Sequence, residues 1–573
     1  MALQAQRTGH LIAMGLLALA AGCGRVNPTL VEPGPVSATR ATETSANLEI
    51  FTDVSRAAGI PDDPEPWPDG TYRLVEMTRG GVALLDYDND GDLDVLEVRS
   101  APPGRPDEGR TPRLFQRRSD GAFVDVSAQA GLDEPLDGQG VAVGDVDDDG
   151  DLDVYLTTFG ANVFYRNEGN GRFVNATASA GFSGERFSVS AAFTDYDADG
   201  DLDLFVAHYV EFDPTVRCLT RGTVEEYCGP QMFQPTLDTL YRNDGKGRFT
   251  DVSAEAGIDK PGRGLGVACM DFTGDGLVDI LVANDGEMNH LWVNQGQGRF
   301  QDEAIARGVA VNGAGVAEAN MGVAVGDVDV DGLLDLFVTH MQGETNMLCV
   351  ALPGGLFVDR SVSSGLSGTD LPYTGFGCVF LDYDNDGDLD LAIANGRVRA
   401  GPVADGADRG AFWNRYAEPN QLYENQGDGR FVEVFARSGS FGRRADVSRG
   451  LAVGDLDGDG DLDLVEGLVD GPPRIHRNDL ATGNHWLSVR AMTSNRDAIG
   501  AVASLSLEGR TLIRPILPGG SYVSGHDPRA HFGLGRTARV DAVDVRWPDG
   551  RTERFPVDRI DRQLTVRQGE GSR

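Results

Sequence analysis

Short apolar runs recur along the chain, and none reaches the length of a helix. Gly81-Val-Ala-Leu-Leu85, Val141-Ala-Val-Gly144 and Leu451-Ala-Val-Gly454 each precede an acidic stretch, and Val95-Leu-Glu-Val98, Val154-Tyr-Leu-Thr157 and Leu204-Phe-Val-Ala207 each follow one. Runs this short and rich in β-branched side chains read as buried strands. Each acidic stretch therefore joins two antiparallel strands. Further on, Leu240-Tyr-Arg-Asn-Asp-Gly-Lys-Gly-Arg-Phe-Thr-Asp-Val-Ser253 sets an Asn/Asp/Gly cluster between two apolar-aromatic runs, with relatives at 163–177, 291–302 and 422–434. Gly and Asn accept the positive φ of a tight turn, so this is a hairpin. One repeat reads strand, acidic loop, strand, connection, strand, hairpin, strand.

The acidic stretch has the form D-x-[DT]-x-D-G-x-x-D and occurs seven times. Carboxylates at positions 1, 3, 5 and 9 can converge on one hard cation, and the Gly at 6 permits the sharp turn. A backbone carbonyl at 7 and water would complete the six to eight oxygens that calcium takes. A helix-loop-helix hand is excluded because the flanks are strands. The loop positions that would surround the ions are Asp86, Asp88, Asp90, Asp92 and Asp94 in the first copy and Asp145, Asp147, Asp149, Asp151 and Asp153 in the second. The third has Asp195, Asp197, Asp199, Asp201 and Asp203; the fourth Asp271, Thr273, Asp275, Leu277 and Asp279. The fifth has Asp327, Asp329, Asp331, Leu333 and Asp335, the sixth Asp382, Asp384, Asp386, Asp388 and Asp390, and the seventh Asp455, Asp457, Asp459, Asp461 and Asp463. Up to seven Ca²⁺ ions are expected. Thr273 removes one charge from the fourth site and should weaken it, while Leu277 and Leu333 leave the position-7 carbonyl intact.

A four-stranded unit repeated seven times fits an all-β, seven-bladed β-propeller. After the seventh loop the chain offers only two more strands, the last near Arg474-Ile-His476. The missing fourth strand is at the other end, where Phe51-Thr-Asp-Val-Ser55 matches the fourth-strand motif. The N-terminal strand is expected to complete the last blade and close the ring over residues 49–480.

Composition agrees: 40% hydrophobic residues and 76 glycines suit many short strands. The net charge of −39 resides largely in the metal loops. It argues against nucleic acid, which demands a basic footprint. Arg7 and His10, the apolar run 11–20 and Ala-Ala-Gly-Cys23 read as a lipoprotein signal peptide (1–23) with lipidation at Cys23, followed by a flexible tether rich in Pro, Thr, Ser and Ala (24–48). The apolar run is too short to span a bilayer. This predicts an exported monomer, an outer-membrane lipoprotein or extracellular, held to the membrane by lipid alone. An exported chain can form disulfides, and Cys218 with Cys228 is the expected pair. Cys269 and Cys378 lie in apolar strands as small hydrophobes, and Cys349 lies in one too.

Two blocks together resemble a known group. The loops and hairpins resemble the FG-GAP/VCBS repeats of integrin-type propellers. Asn484-His-Trp-Leu487, Ser494-Asn-Arg-Asp-Ala-Ile-Gly-Ala501, Gly519-Gly-Ser-Tyr522, His531-Phe-Gly-Leu-Gly535 and Val543-Asp-Val-Arg-Trp-Pro-Asp-Gly550 resemble the ASPIC and UnbV domain of the cartilage acidic protein-like family. Tyr227-Cys-Gly-Pro230 fits its bacterial members. The resemblance implies a calcium-binding seven-bladed propeller with a small β-domain appended at 483–570. Gly525 departs from the family pattern and leaves a ligand role for that segment without support.

All seven loops join the same strand pair, so they share one rim, and the opposite rim gathers the other connections. Five residues past each closing aspartate stand Arg99, Thr158, His208, Asn284, His340, Asn395 and Leu468. Arg99, His208, Asn284, His340 and Asn395 are the candidate ligand-binding residues, beside the insertions 209–237 and 396–420. Loops on a rigid scaffold are where function concentrates. His208 and His340 suit a ligand or general base, or else a strand-end hydrogen bond to a neighbouring loop. No catalytic motif stands in a usable context. The expected function is therefore a surface binding or adhesion protein for a protein or glycan. The alternative is a calcium-dependent enzyme (polysaccharide lyase, hydrolase or cyclase) with its catalytic residues unknown.

Overall fold

A strand buried on both faces must be flanked by others, and the apolar runs that precede the acidic loops are buried almost throughout. In the computed structural model, residues 49–62, 72–100, 110–220 and 222–572 are described; the signal-peptide, Cys23 and tether expectations lie outside them. The strands form seven antiparallel four-stranded units, such as Gly264–Met270, Asp279–Asn284, His290–Asn294 and Phe300–Asp302. The units, numbered here as blades 1 to 7 by their acidic loops, make a β-propeller. Their first strands touch in cyclic order, and the seventh, Ser448–Gly454, returns to the first, Val82–Leu85.

The last blade is completed by Phe51–Asp53, which pairs with Arg474–Asn478 in the register Phe51 to Asn478 and Asp53 to His476. Ser55 Oγ accepts from the Ile475 amide at 2.8 Å, and the Phe51 side chain is fully buried. The supply of the fourth strand from the N-terminal end follows from the strand count.

At the axis the first strands crowd together, and glycine is what lets them. A Cβ on Gly266 would stand 2.2 Å from the Met321 carbonyl oxygen of the next blade, and one on Gly322 2.0 Å from that of Phe376.

Beyond blade 7 two small sheets form around Leu487, Val489, Leu505, Phe532, Val543 and Trp547. One is built on His485–Thr493 and Ala530–Gly535, the other on Val502–Leu507 and Ala542–Arg546. This part lies over the acidic loops. Its segment 517–527 runs into the axis of the ring: Ser524–Gly525 pairs in parallel with Val82–Ala83, and Ser521 bridges to Val323. Ser521 Oγ accepts from the Cys378 amide at 3.0 Å, Ser524 Oγ from Leu451 at 3.0 Å, and Val523 donates to Ser190 Oγ at 3.2 Å. Tyr522, fully buried, donates to the Thr78 carbonyl at 2.9 Å and packs edge-on against Phe376, 5.0 Å between centroids. The buried Arg449 guanidinium lies 3.8 Å over that Phe376 ring. The axis is filled rather than open.

Candidate functional site

In every acidic loop the position-1 carboxylate accepts from the amide of the Gly at 6, from 3.1 Å at Asp86–Gly91 to 2.9 Å at Asp382–Gly387. Position 5 accepts from the amide at 7, as Asp90 does from Asp92 at 2.9 Å. Position 9 accepts from position 2 and from the third strand: Asp94 takes Tyr87 N at 3.3 Å and Arg117 N at 2.7 Å. Burial pushes these position-9 carboxyls up, Asp94 and Asp335 to about 8 and Asp203 to about 9.

What remains points inward. Asp86, Asp88 and Asp90 each offer an oxygen within 4.8 Å of the others, as do Asp145, Asp147 and Asp153, Asp195, Asp197 and Asp199, Asp327, Asp329 and Asp335, and Asp382, Asp384 and Asp390. Oδ1 of Asp86, Asp88, Asp147, Asp195, Asp197 and Asp329 is buried without a hydrogen-bond donor. Crowded, desolvated, donorless carboxylate oxygens fit a hard divalent cation. Thr273 Oγ1, in the fourth loop, is buried without a partner as well. Position-7 carboxylates turn outward, Asp92 to Arg117 at 2.8 Å and Asp151 to Asn89 at 2.7 Å, which leaves the backbone at that position for a cation.

The hairpin asparagines do more than turn the chain. Asn243 Nδ2 donates at 2.8 Å to the Val146 carbonyl in the loop of the preceding blade and at 2.9 Å to Leu202 in its own. Asn167, Asn294, Asn425 and Asn478 repeat this bond at 2.7–2.8 Å. Sequence reasoning caught all of these but Asn478 as turn formers and missed all five as clamps between blades.

The C-terminal sheets cap this face. Asp382 Oδ2 accepts from the Gly533 amide at 3.0 Å, Asn385 Oδ1 is 2.7 Å from His531 Nε2, and Arg510 pairs with Asp388 at 2.6 Å. Arg546 reaches Asp271 at 3.2 Å. Val330, a β-branched residue at φ +60°, packs onto the C-terminal core. That conformation is strained for valine and is held by the contact.

On the opposite rim the five expected ligand residues are occupied with the scaffold. His208 Nδ1 is 3.0 Å from Ser188 Oγ and Nε2 2.9 Å from Thr239 Oγ1, and burial pushes the ring down to about 3. His340 Nε2 is 2.8 Å from Asn320 Oδ1 and Nδ1 2.6 Å from the Thr345 carbonyl. Asn284 donates to Met288 O at 3.0 Å, Asn395 to Pro419 O at 2.9 Å, and Arg99 lies 3.9 Å from Glu97. None of the five lines the cavity of about 110 Å³ at this mouth. The residues immediately after three of them do: Tyr209, Asp285 and Met341. Side chains alternate along an extended chain, so the residue after a strand end faces the other way. Continuing the alternation one step past each strand is the signal that would have found them.

The same cavity takes Tyr227, Gln231, Val398 and Arg399 from the two insertions and is backed by Phe376. Cys218 and Cys228 are disulfide-bonded, Cα–Cα 5.2 Å, while Cys269, Cys349 and Cys378 are free and buried. Tyr227 donates to Glu76 at 2.8 Å, and Glu226 receives Tyr416 at 2.7 Å and the Ala400 amide at 3.1 Å. The first insertion is thereby fixed to the ring and to the second insertion.

The FG-GAP-like repeat pattern matches residues 86–156, 145–206, 233–282, 271–338 and 405–466, and the ASPIC and UnbV pattern matches 491–573. Cartilage acidic protein 1 of Mus musculus is 30% identical over 307 residues, 52% of this chain and 44% of that protein. The Homo sapiens protein is 29% identical over 307 residues, 52% and 43%. The matched stretch spans under half the length of either relative. Among solved structures, a lectin from Agrocybe aegerita described as recognising non-reducing terminal N-acetylglucosamine is 17% identical at TM-score 0.38, covering 70% of this chain and 91% of its own. The Dos1 propeller is 10% identical at TM-score 0.35, covering 70% and 93%.

Proposed function

The chain belongs to the FG-GAP-like repeat proteins that end in an ASPIC and UnbV domain, and from that premise we propose an exported calcium-binding protein that recognises a protein or glycan outside the cell. Seven Ca²⁺ ions, one per acidic loop, would replace carboxylate repulsion by coordination and stiffen the rim on which the C-terminal sheets rest. The observation that carries the reading is the cavity where the two insertions meet at the metal-free mouth, on a face that the C-terminal sheets leave uncovered. The calcium role rests on the donorless carboxylate oxygens; the extracellular setting rests on the Cys218–Cys228 disulfide and the relationship to cartilage acidic protein 1. A lipid anchor at Cys23 would keep the protein at a membrane surface.

The test is a glycan and extracellular-protein capture screen in millimolar calcium and in excess chelator, run with the parent and with Met341→Trp, which fills the cavity. Capture that needs calcium and falls at least about tenfold in the variant supports the site. Full capture by Met341→Trp, with loss on altering the C-terminal sheets, moves the site to the other face.

A further inference from the structure

Resting on that reading of the mouth, we infer that its cavity selects an organic cation, an ammonium group carried on an apolar body. The walls are apolar: Leu74, Met77, Leu265, Met321, Met341 and Phe376. Tyr209 and Tyr227 add aromatic surface, whose ring faces attract cations. Methionine walls adapt to irregular shapes.

Two carboxylates, Asp285 and Glu344, face the cavity beside the neutral Thr78 and Gln231. Asp285 is buried and accepts the Tyr209 hydroxyl on Oδ2 at 2.5 Å, while Oδ1 receives no hydrogen bond from the described residues. Glu344 accepts the Ala319 amide on Oε2 at 2.9 Å, and its Oε1 likewise takes no donor among them. The neighbouring Arg263 lies outside the lining, bonded to Glu287 and, at 3.0 Å, to the Phe233 carbonyl, and its charge partly offsets that of Asp285. Arg399 is the cationic side chain of the lining and is exposed at its edge.

A carboxylate oxygen that opens onto a mostly apolar cavity without a donor takes a charged N–H better than a neutral hydroxyl. An anion would meet two carboxylates, and a sugar would set most of its hydroxyls against apolar walls. Burial, with Glu344 nearby, holds the Asp285 carboxyl up at about 6, the direction a bound cation reverses. The ammonium comes either from a free amine or from a lysine side chain of a partner.

The experiment is titration calorimetry on the full chain in calcium with benzylammonium, benzyl alcohol and benzoate, three probes of nearly equal size. We expect benzylammonium to bind at least about tenfold tighter than benzyl alcohol, with benzoate weakest, and Asp285→Asn to erase the difference. Equal binding of all three, no binding of benzylammonium, or full amine affinity in Asp285→Asn overturns the inference. Should that variant fold poorly, the probe series on the parent decides. A lysine peptide against its Nε-acetylated form separates the sources: binding of the unmodified peptide assigns a protein lysine, and benzylammonium alone assigns a free amine. If Met341→Trp blocks partner capture while the three probes bind alike, the site stands and the cation reading falls.

Discussion

The two faces of the ring differ in how far their side chains repeat. On the acidic-loop face one hydrogen-bond plan is repeated seven times, with the position-1 carboxylate on the Gly amide and the position-9 carboxylate on the third strand. On the other face the main chain still repeats, five strand ends giving their amide to an Asn or Asp ahead of the third strand, but the side chains diverge: His208 bridges Ser188 and Thr239, while His340 holds Asn320 and Thr345. Repetition marks what every blade needs to exist. Variation marks what the molecule can devote to a ligand. Substitutions on the first face should therefore cost stability, and those around the cavity should cost binding.

The largest effect is expected from removing the ions. A ligand at ten times its dissociation constant stabilises by about 1.4 kcal/mol per site, so seven sites amount to about 10 kcal/mol. Thermal unfolding in millimolar calcium against excess chelator checks this, and an unchanged midpoint would sink the metal reading. Removing residues 49–55 should come next. Phe51→Ala alone should cost about 3–5 kcal/mol, and losing the strand exposes the edge Arg474–Asn478 to other chains. A shortened protein that stays monomeric and unfolds with the parent contradicts the closure.

Tyr522→Ala empties the axis and should cost about 3 kcal/mol, whereas Tyr522→Phe loses only the bond to Thr78 and about 1 kcal/mol. Denaturant unfolding of the pair separates packing from hydrogen bonding, and equal losses would contradict a packed plug. Asn243→Ala strands two carbonyls between blades and should cost about 1–3 kcal/mol; no loss would mean that the clamp is idle. Smallest is Glu344→Gln, half-exposed at the mouth, with a stability change within about 0.5 kcal/mol. A larger loss there would make the cavity rim structural like the opposite face and erase the contrast.

Much of this was legible in the sequence because it is local or repeated. The loop spacing, the flanking apolar runs and the surplus Phe51-Thr-Asp-Val-Ser55 state their partners by pattern. The plug was not legible. Gly519-Gly-Ser-Tyr522 stands out as a motif, but the bonds of residues 521–525 go to blades 1, 3, 5, 6 and 7 through main chain and short hydroxyls, which carry no complementary pattern in sequence. At the other mouth the expected residues do not line the cavity: the side chains that reach it come directly after His208, Asn284 and His340, a one-residue offset set by alternation past the strand end.

The closing strand also sets a clock. Ser55 and its partner Ile475 are 420 residues apart. At about 5–20 residues per second of synthesis, Phe51–Asp53 waits roughly 20–80 s before blade 7 exists to receive it. Until then six blades stand as an open arc with two unpaired ends, and the segment that fills the axis arrives later still. Assembly of this ring thus has a fixed order: early blades can form alone, but the first strand of the described residues is among the last to find its place, and the interval in between is when a chaperone has something to hold.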